Sequence, residues 1–293
     1  MRIADTTRMD RLVKSTTEIE RKIATVSQRA SSGIALDVPS TDPVNAAAYL
    51  RSRGNVQRLK GYGDAIIGAK GELELSEATL SQAQDLIARA REIALQAANS
   101  TYSAKDRAQF ATEIGQLRDQ LISAANQKGP NGYLFGGSDT TTAPFDSTGA
   151  FVGNGDARKL EVGPGVTVTM NGSGSKAFTT AGGQDVFSIF AQLQTAVSTN
   201  NVSAVTNLGQ NLADAHAQVG TARGDVGYEM QRVDMADAAQ TTMKTLWTER
   251  QGEASEIDPS QVYTQLSALQ NTLTQSVAAA RTQLQTLSLN RFG

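Results

Sequence analysis

The sequence predicts a mainly α-helical protein of long antiparallel helices, in which the two chain ends form a coiled coil and a small β-rich outer domain is inserted in the middle. Three observations support this fold class. Apolar residues near both ends repeat alternately three and four residues apart, and the regions next to them continue that spacing. Residues 132 to 183 instead are rich in Gly, Ser and Thr and contain short alternating apolar runs.

The two heptad patterns lie at opposite ends of the chain. Each places its apolar side chains on one narrow stripe of a helix, and such a stripe requires a partner helix. We therefore expect a helix from about residue 5 to 30 to pair with one that begins after Pro259. The stripes consist of Met9, Leu12, Thr16, Ile19, Ile23, Val26 and Ala30 near the N-terminus, and of Val262, Leu266, Leu269, Leu273, Val277, Ala280, Leu284 and Leu287 near the C-terminus.

Further helices are predicted between the ends. Asp42-Pro43 begins a second, very long helix that continues to about Ala97, because aspartate caps a helix and proline fits its first position. Five glycines in its first half cost helix stability, and we interpret them as points of close helix packing, with a kink as the alternative: Gly54, Gly61, Gly63, Gly68 and Gly71. A third helix covers about residues 104 to 127, helical spacing resumes near Val186, and a loop is expected from Gly252 to Pro259.

The β-rich insert is predicted to contain a hairpin. Two alternating runs, 159–162 and 166–170, flank Gly163-Pro164-Gly165, which is typical of a turn. With about 50 residues, the insert is at the lower limit for an independent core. Because it begins and ends between helices, we expect it to project from their tip.

Composition excludes several classes of function. The net charge of −2 gives no reason to expect binding to nucleic acid or to an anionic membrane. No apolar stretch is long enough for a membrane span, and the first residues lack the apolar core of a cleaved signal peptide. The chain has no cysteine, which excludes disulfides, thiol catalysis and sulfur-ligated metals.

No residue pattern predicts catalysis. His216 is the only histidine and has no neighbouring group that would complete a catalytic or metal site. Asp234 and Asp237 are interpreted as part of a solvated helix face. Gly136-Gly137 lacks the Lys-Ser/Thr ending of a phosphate-binding loop, so we interpret it as a turn. The sequence therefore predicts no catalytic, cofactor-binding or metal-binding residues, and no enzyme.

The order of the elements predicts three nested domains. Residues 1–40 with 255–293 form an inner coiled-coil domain, residues 41–131 with 186–254 a helical rod, and residues 132–185 the outer insert. The terminal helices carry too little apolar area to be stable alone, so we expect them to be disordered in the free chain and to order on assembly. The expected assembly interface is formed by Met9, Leu12, Ile19, Ile23, Val26, Leu266, Leu269, Leu273, Val277, Leu284 and Leu287.

Three segments resemble a known family. Ser31-Ser32-Gly33 followed by Asp42-Pro43 resembles a signature of bacterial flagellins and hook-associated proteins. Tyr133-Leu134-Phe135-Gly136-Gly137, followed by Pro144-Phe145, is similar to a segment of the flagellin-like hook-associated protein 3 family, the hook–filament junction proteins. The stretch from Ser255 to Leu289 is similar to the closing helix of that family.

The resemblance implies a structural adaptor in the extracellular bacterial flagellum. Members of the family are secreted through the flagellar export apparatus and form a ring at the hook–filament junction. The implied partners are other copies of the chain in head-to-tail contact, a neighbouring hook-associated protein, flagellin, and an export chaperone at the C-terminal helix. Two alternatives remain at this point: a filament-forming flagellin, or a helical signalling domain that dimerises through its coiled coil.

Overall fold

Seven α-helices and two pairs of short antiparallel strands make up the part of the chain that a computed structural model describes, namely residues 2–33, 43–99, 101–255 and 258–292. Side chains are described from Asp10 onward, except for residues 283, 284 and 286–292 within the last helix. The chain divides into two units, each described by itself below. One consists of Met1–Gln57 with Lys244–Gly293, and the other of Arg58–Met243.

The bounds of the elements confirm the predicted mainly α fold. In chain order they are α1 (Arg2–Ser32), α2 (Pro43–Ala97), α3 (Ala104–Ala125), β1 (Lys128–Gly129), β2 (Gly132–Tyr133), β3 (Lys159–Gly163), β4 (Val166–Thr169), α4 (Gly174–Phe178), α5 (Val186–Ser198), α6 (Val202–Ser255) and α7 (Pro259–Phe292). The long second helix and the hairpin of β3 and β4 are confirmed. The loop predicted to begin at Gly252 was placed too early, because α6 continues through this glycine to Ser255.

No helix among the described residues is long and apolar enough to cross a membrane.

The unit from Arg58 to Met243 has its core between α2, α3, α5 and α6. Side chains from all four helices are fully buried there, among them Ile87, Ile114, Leu193 and Leu212. The α3 helix packs against α5, and an exposed ion pair between Arg89 and Glu113 (2.8 Å) joins α2 to α3. These helices therefore bury one continuous apolar core.

Local hydrogen bonds fix the connections at one end of this core. Ser103 and Asp106 form a capping box at the start of α3, in which each residue's side chain accepts a hydrogen bond from the other's backbone N–H. The hydroxyl and backbone hydrogen bonds from Ser103 lower the pKa of Asp106. The turn between α5 and α6 places Asn200 at φ +55°. Arg107 then joins the two connections, because its guanidinium donates to the carbonyl of Ala97 (3.0 Å) and to Oδ1 of Asn200 (3.3 Å).

The β-rich insert lies along the sides of α2 and α6, so the prediction that it projects from the helix tip was wrong. Its backbone and side chains contact both helices. Tyr62 of α2 donates to Glu161 (3.2 Å), and Gln240 of α6 donates to the carbonyl of Val162 (3.0 Å). The physical reason is that α3 and α5 are short, with 22 and 13 residues. Apolar residues of α2 and α6 beyond them, such as Leu73, are buried where the insert adjoins these two helices.

A buried ion pair fastens the insert to α2. Glu72 is almost completely buried, and one of its carboxylate oxygens accepts a hydrogen bond from Arg158 at 2.7 Å. Its other oxygen accepts from the side-chain amide of Asn131, which lies in the turn between β1 and β2. Arg158 of the insert and Asn131, which directly precedes the insert, thus converge on one carboxylate, whose burial would be costly without these partners.

The five glycines of α2 do not mark close packing within this chain, so that interpretation was wrong. The helix is continuous across all of them. A Cβ atom placed on any of the five would meet no atom of the described structure within 4 Å. Gly54, Gly61 and Gly68 are seven residues apart and therefore share one face of the helix, and no atom of the described residues covers these three positions.

Replacing Glu72 by Gln tests the buried ion pair. We expect Glu72→Gln to lower the free energy of unfolding by roughly 3 kcal/mol, because it leaves Arg158 without its charged partner in a mostly buried site. Urea denaturation of the full chain, followed by circular dichroism, measures this loss. The matched control is Glu74→Gln two residues away, at an exposed position, where the expected change is within about 0.5 kcal/mol. Equal unfolding free energies for the two variants would contradict this assignment.

Candidate assembly interface

The helices from the two chain ends, α1 and α7, pack against each other. The least exposed side chains of each helix recur at heptad spacing, and the positions between them are exposed except for Arg29, which is half-buried. On α1 they are Leu12, Thr16, Ile19, Ile23, Val26 and Ala30, and on α7 they are Val262, Leu266, Leu269, Leu273, Ser276 and Ala280. We call these twelve residues the terminal seam.

One predicted member of the C-terminal stripe is misplaced. Val277 is exposed, and Ser276 occupies the seam position instead. The reason is geometric: Leu266, Leu269 and Leu273 alternate by three and four residues, and the next step of three leads to residue 276. The side chains of Met9, Leu284 and Leu287 lie outside the described residues. The assignment of all these positions to an assembly interface stays a prediction.

A hydrogen bond between hydroxyl groups joins the two helices within the seam. The Oγ1 atom of Thr16 lies 3.2 Å from Oγ of Ser276. Because the Thr16 hydroxyl donates its proton to the carbonyl of Leu12 (2.9 Å), Ser276 is the donor in the contact between the helices. The sequence identified Thr16 as a seam position but missed Ser276, because the apolar Val277 beside it was assigned to the stripe in its place.

The terminal seam is incompletely covered within one chain. Of its twelve members only Val26 and Val262 are buried, and the other ten remain partly exposed to solvent. Large apolar side chains also lie on the outer faces of the pair, where Val13 and Tyr263 are 57% and 62% exposed. A two-helix pair of this kind gains stability when further helices cover it.

The start of α7 and the end of α1 are each defined by local hydrogen bonds. Asp258 caps α7 by accepting from the backbone N–H of Ser260 (2.9 Å), and Pro259 takes the first helical position. At the end of α1, Gly33 adopts φ +71° and donates to the carbonyl of Arg29 (2.9 Å). In the motif to which this glycine belongs, Ser31 and Ser32 each donate a hydroxyl hydrogen bond to the last turn of the helix. Asp42 lies outside the described residues, and Pro43 is the first residue of α2.

The Tyr133–Gly137 segment builds the core of the insert. Leu134 and Phe135 are fully buried, whereas Tyr133 is half-buried. Phe135 meets Phe178 edge to face, with ring centroids 5.8 Å apart. Phe145, from the second part of the motif, contacts Phe178 (5.7 Å) and Phe187 of α5 (5.1 Å). This aromatic cluster connects the insert to the helical core.

Gly136 and Gly137 form a turn, as predicted, and both positions exclude a side chain. Gly137 has φ +77°, and a Cβ atom there would lie 2.0 Å from Oδ1 of Asn154. A Cβ atom on Gly136 would lie 2.4 Å from the carbonyl oxygen of Asp139. The motif therefore has a packing role in this chain.

The remaining candidate residues occupy ordinary structural positions. His216 is half-buried, and its backbone carbonyl accepts a hydrogen bond from Gln84. Asp234 forms an exposed ion pair with Lys70 at 2.8 Å, and this hydrogen bond raises the pKa of Lys70. Asp237 is exposed nearby. The described residues contain no cluster of three or more His, Asp or Glu side chains that could hold a metal ion.

Comparison with known proteins gives consistent matches. Residues 7–140 match the family model of the bacterial flagellin N-terminal helical region. The flagellar hook-associated protein 3 of Escherichia coli K12 is 28% identical over 89% of this chain and 90% of its own length. The flagellin FlaB1 of Treponema pallidum is 31% identical, but over only 36% of this chain and 37% of its own. A solved structure of a protein described as a flagellar hook-associated protein from Vibrio parahaemolyticus is 26% identical, with a TM-score of 0.68, over 74% of this chain and 100% of that chain.

Together with the paired terminal helices and the motif segments, these matches define a flagellin-like protein of the bacterial flagellum. The match to the hook-associated protein covers 89% of this chain, the match to flagellin FlaB1 covers 36%, and a flagellar filament 30.7 kDa core protein of Treponema maltophilum is 25% identical over 71%. Over most of its length the chain is similar to flagellar hook-associated protein 3, at 28% identity to the E. coli protein and 27% to that of Salmonella typhimurium.

A side chain at Gly137 is expected to disrupt the insert. We expect Gly137→Ala to lower the free energy of unfolding by roughly 3 kcal/mol, because it combines a left-handed backbone conformation with a steric clash. Gly165→Ala is the matched control: Gly165 has φ +72° but open space around its Cβ position, so the expected loss is about 1 kcal/mol. Urea denaturation compares the two variants. Equal losses would show that the contact with Asn154 plays no part.

Proposed function

We propose that this chain is a non-enzymatic structural adaptor of the bacterial flagellum, assembling in a ring at the hook–filament junction and linking a neighbouring hook-associated protein to flagellin. The observation that carries the proposal is the match to the E. coli hook-associated protein 3 over nearly the whole length of both chains. That match covers about nine tenths of each chain, so the proposal draws on most of the sequence and not on a single motif.

The terminal seam supports assembly with other copies. Its members are apolar apart from the Thr16–Ser276 pair and are mostly only half-covered within one chain. Covering them with helices of neighbouring copies would remove further apolar surface from water. Contacts that use different surfaces on successive copies produce rings or helical arrays, which is the geometry required at a tubular junction.

We further propose the three-domain organisation predicted from the sequence. Residues 1–40 with 255–293 form the inner domain, 41–131 with 186–254 the rod, and 132–185 the outer insert. The inner domain is disordered in the free chain, because a single helix pair with a narrow seam is marginally stable in water. Unfolded ends suit secretion through the flagellar export apparatus to the cell exterior, and α7 offers an exposed apolar stripe to an export chaperone.

The position of the protein along the flagellum tests the adaptor function. We expect gold-labelled antibody against the full chain to mark isolated flagella at a single site between hook and filament, because a ring of adaptors occurs once per flagellum. Electron microscopy measures the distribution of the label. Labelling along the whole filament would instead identify a filament-forming flagellin, and absence of label from flagella would favour a separate helical signalling protein.

Charged substitutions in the terminal seam test its role in assembly. We expect Ile23→Asp and Leu273→Asp each to abolish incorporation into flagella, because each places a charge in the apolar contact between the helices. Incorporation is measured by immunoblotting of sheared flagella. The controls are Thr25→Asp and Thr274→Asp at exposed positions of the same helices.

Limited proteolysis of the free chains provides the second readout. All variants should lose about residues 1–40 and 255–293 and retain a resistant centre, since the substitutions lie in ends that are disordered before assembly. Normal incorporation of Ile23→Asp would refute the role of the seam, and protease-resistant ends in the free chain would refute the proposed disorder.

A further inference from the structure

We propose that the hydroxyl pair of Thr16 and Ser276 determines the register in which α1 pairs with α7. The inference rests on the proposed function, because it concerns how the terminal helices pair in the assembled protein. In this proposal the two residues determine which residues of α7 lie opposite which residues of α1. They are positioning residues of the interface.

The position of the pair makes it suited to this role. Both residues are half-buried members of the terminal seam, and their oxygen atoms are 3.2 Å apart. The hydroxyl hydrogen of Thr16 is used in the hydrogen bond to the carbonyl of Leu12, so toward α7 its oxygen acts only as an acceptor. Ser276 must supply the donor. The contact therefore requires a hydroxyl on each helix at facing positions and is satisfied in one alignment.

The rest of the seam cannot define an alignment by itself. With Thr16 facing Ser276 in an antiparallel pair, Ile19 faces Leu273 and Ile23 faces Leu269. A slip of one heptad again places aliphatic side chains opposite one another, for example Ile19 opposite Leu266. Apolar contacts are non-directional, so their energy changes little in this slip.

The polar pair responds differently to the same slip. Thr16 would then face Leu269, and the hydroxyl of Ser276 would lose its acceptor on the other helix in a partly buried environment. One polar pair within an otherwise apolar seam is a known physical means of specifying register in coiled coils, where a single polar core residue disfavours misaligned pairing. The apolar seam residues thus stabilise the helix pair in either register, and the hydroxyl pair favours the observed register over the slipped one.

Two hydroxyl groups just outside the seam form hydrogen bonds only within their own helix, unlike the Thr16–Ser276 pair. Thr17 donates to the carbonyl of Val13, and Thr274 donates to the carbonyl of Gln270, each within its own helix. Both residues are exposed. They carry the same chemical group as the proposed pair on the same two helices, which makes them matched controls.

Disulfide cross-linking in the full chain measures the register directly, because the natural sequence has no cysteine. One reporter chain carries Ile19→Cys with Leu273→Cys and forms a cross-link in the observed register. A second carries Ile19→Cys with Leu266→Cys and forms a cross-link only after a slip of one heptad.

Three sets of substitutions are tested in each reporter chain. The first is Thr16→Val together with Ser276→Val, the second is Thr16→Ser alone, and the third is the control pair Thr17→Val and Thr274→Val. Flagella from cells producing each chain are oxidised, and the cross-linked fraction is read from non-reducing gels.

In the parent background we expect the first reporter to cross-link within one chain and the second to remain unlinked. The double valine variant should raise the slipped cross-link at least about threefold, as the loss of one hydrogen bond predicts. Thr16→Ser keeps the hydroxyl and should behave as the parent, and so should the control pair.

An unchanged slipped fraction in the double valine variant would overturn the proposal. The proposal would also be overturned if the parent chain cross-linked in the slipped register, or only between two chains. The cross-link reports how α1 and α7 pair wherever the chain assembles, whereas antibody labelling reports where it assembles. Failure of the register assignment can therefore be distinguished from failure of the adaptor function.

Discussion

The fold of the larger unit depends on the need of its long helices, α2 and α6, to cover their apolar stripes. In the unit from Arg58 to Met243, α2 and α6 carry buried apolar residues from Ile66 to Ala97 and from Val205 to Val233. The α3 and α5 helices are too short to cover both stripes, with 22 and 13 residues. The β-rich insert covers the remainder, and its position against the sides of α2 and α6 follows from this requirement.

The same constraint explains the polar contacts of the insert. A small insert with few apolar residues cannot hold its position by hydrophobic burial alone. The aromatic cluster around Phe145 anchors it to α5, and the carboxylate of Glu72 binds both Arg158 of the insert and Asn131 directly before it. Apolar contacts supply most of the free energy, and the directional hydrogen bonds restrict the insert to one orientation.

Periodicity predicted the helices well, because the three-four spacing directly records which face of a helix is covered. Leu12, Ile19 and Ile23 were placed on the seam from sequence, and the structure finds them there. Periodicity could not predict what covers a face. The glycines of α2 were therefore assigned to packing contacts that the described chain does not contain. Ser276 was missed because the apolar Val277 next to it fits the spacing within one residue and was assigned to the seam instead.

The position of the insert against the sides of α2 and α6 also could not be predicted from the sequence. Its chain position between helices gives its points of attachment but not the direction in which it folds. That direction is set by Arg158 and Asn131 meeting Glu72, three residues far apart in sequence whose proximity no local pattern encodes. The two glycines that follow Phe135 were correctly interpreted as a turn, because the missing Lys-Ser/Thr ending is a local feature.

A half-covered seam at both ends of one chain has a consequence for assembly. Val26 and Val262 are buried within the pair, while Ile19 and Leu273 keep part of their surface in water. A pair that buried all of its apolar surface would be stable in the free chain and would gain little from contact with other copies. A pair with no internal contact would have no defined shape to present to them. The terminal helices lie between these limits, since their own contacts define how they pair and, under the proposed function, the surface left exposed would provide the free energy for joining further subunits.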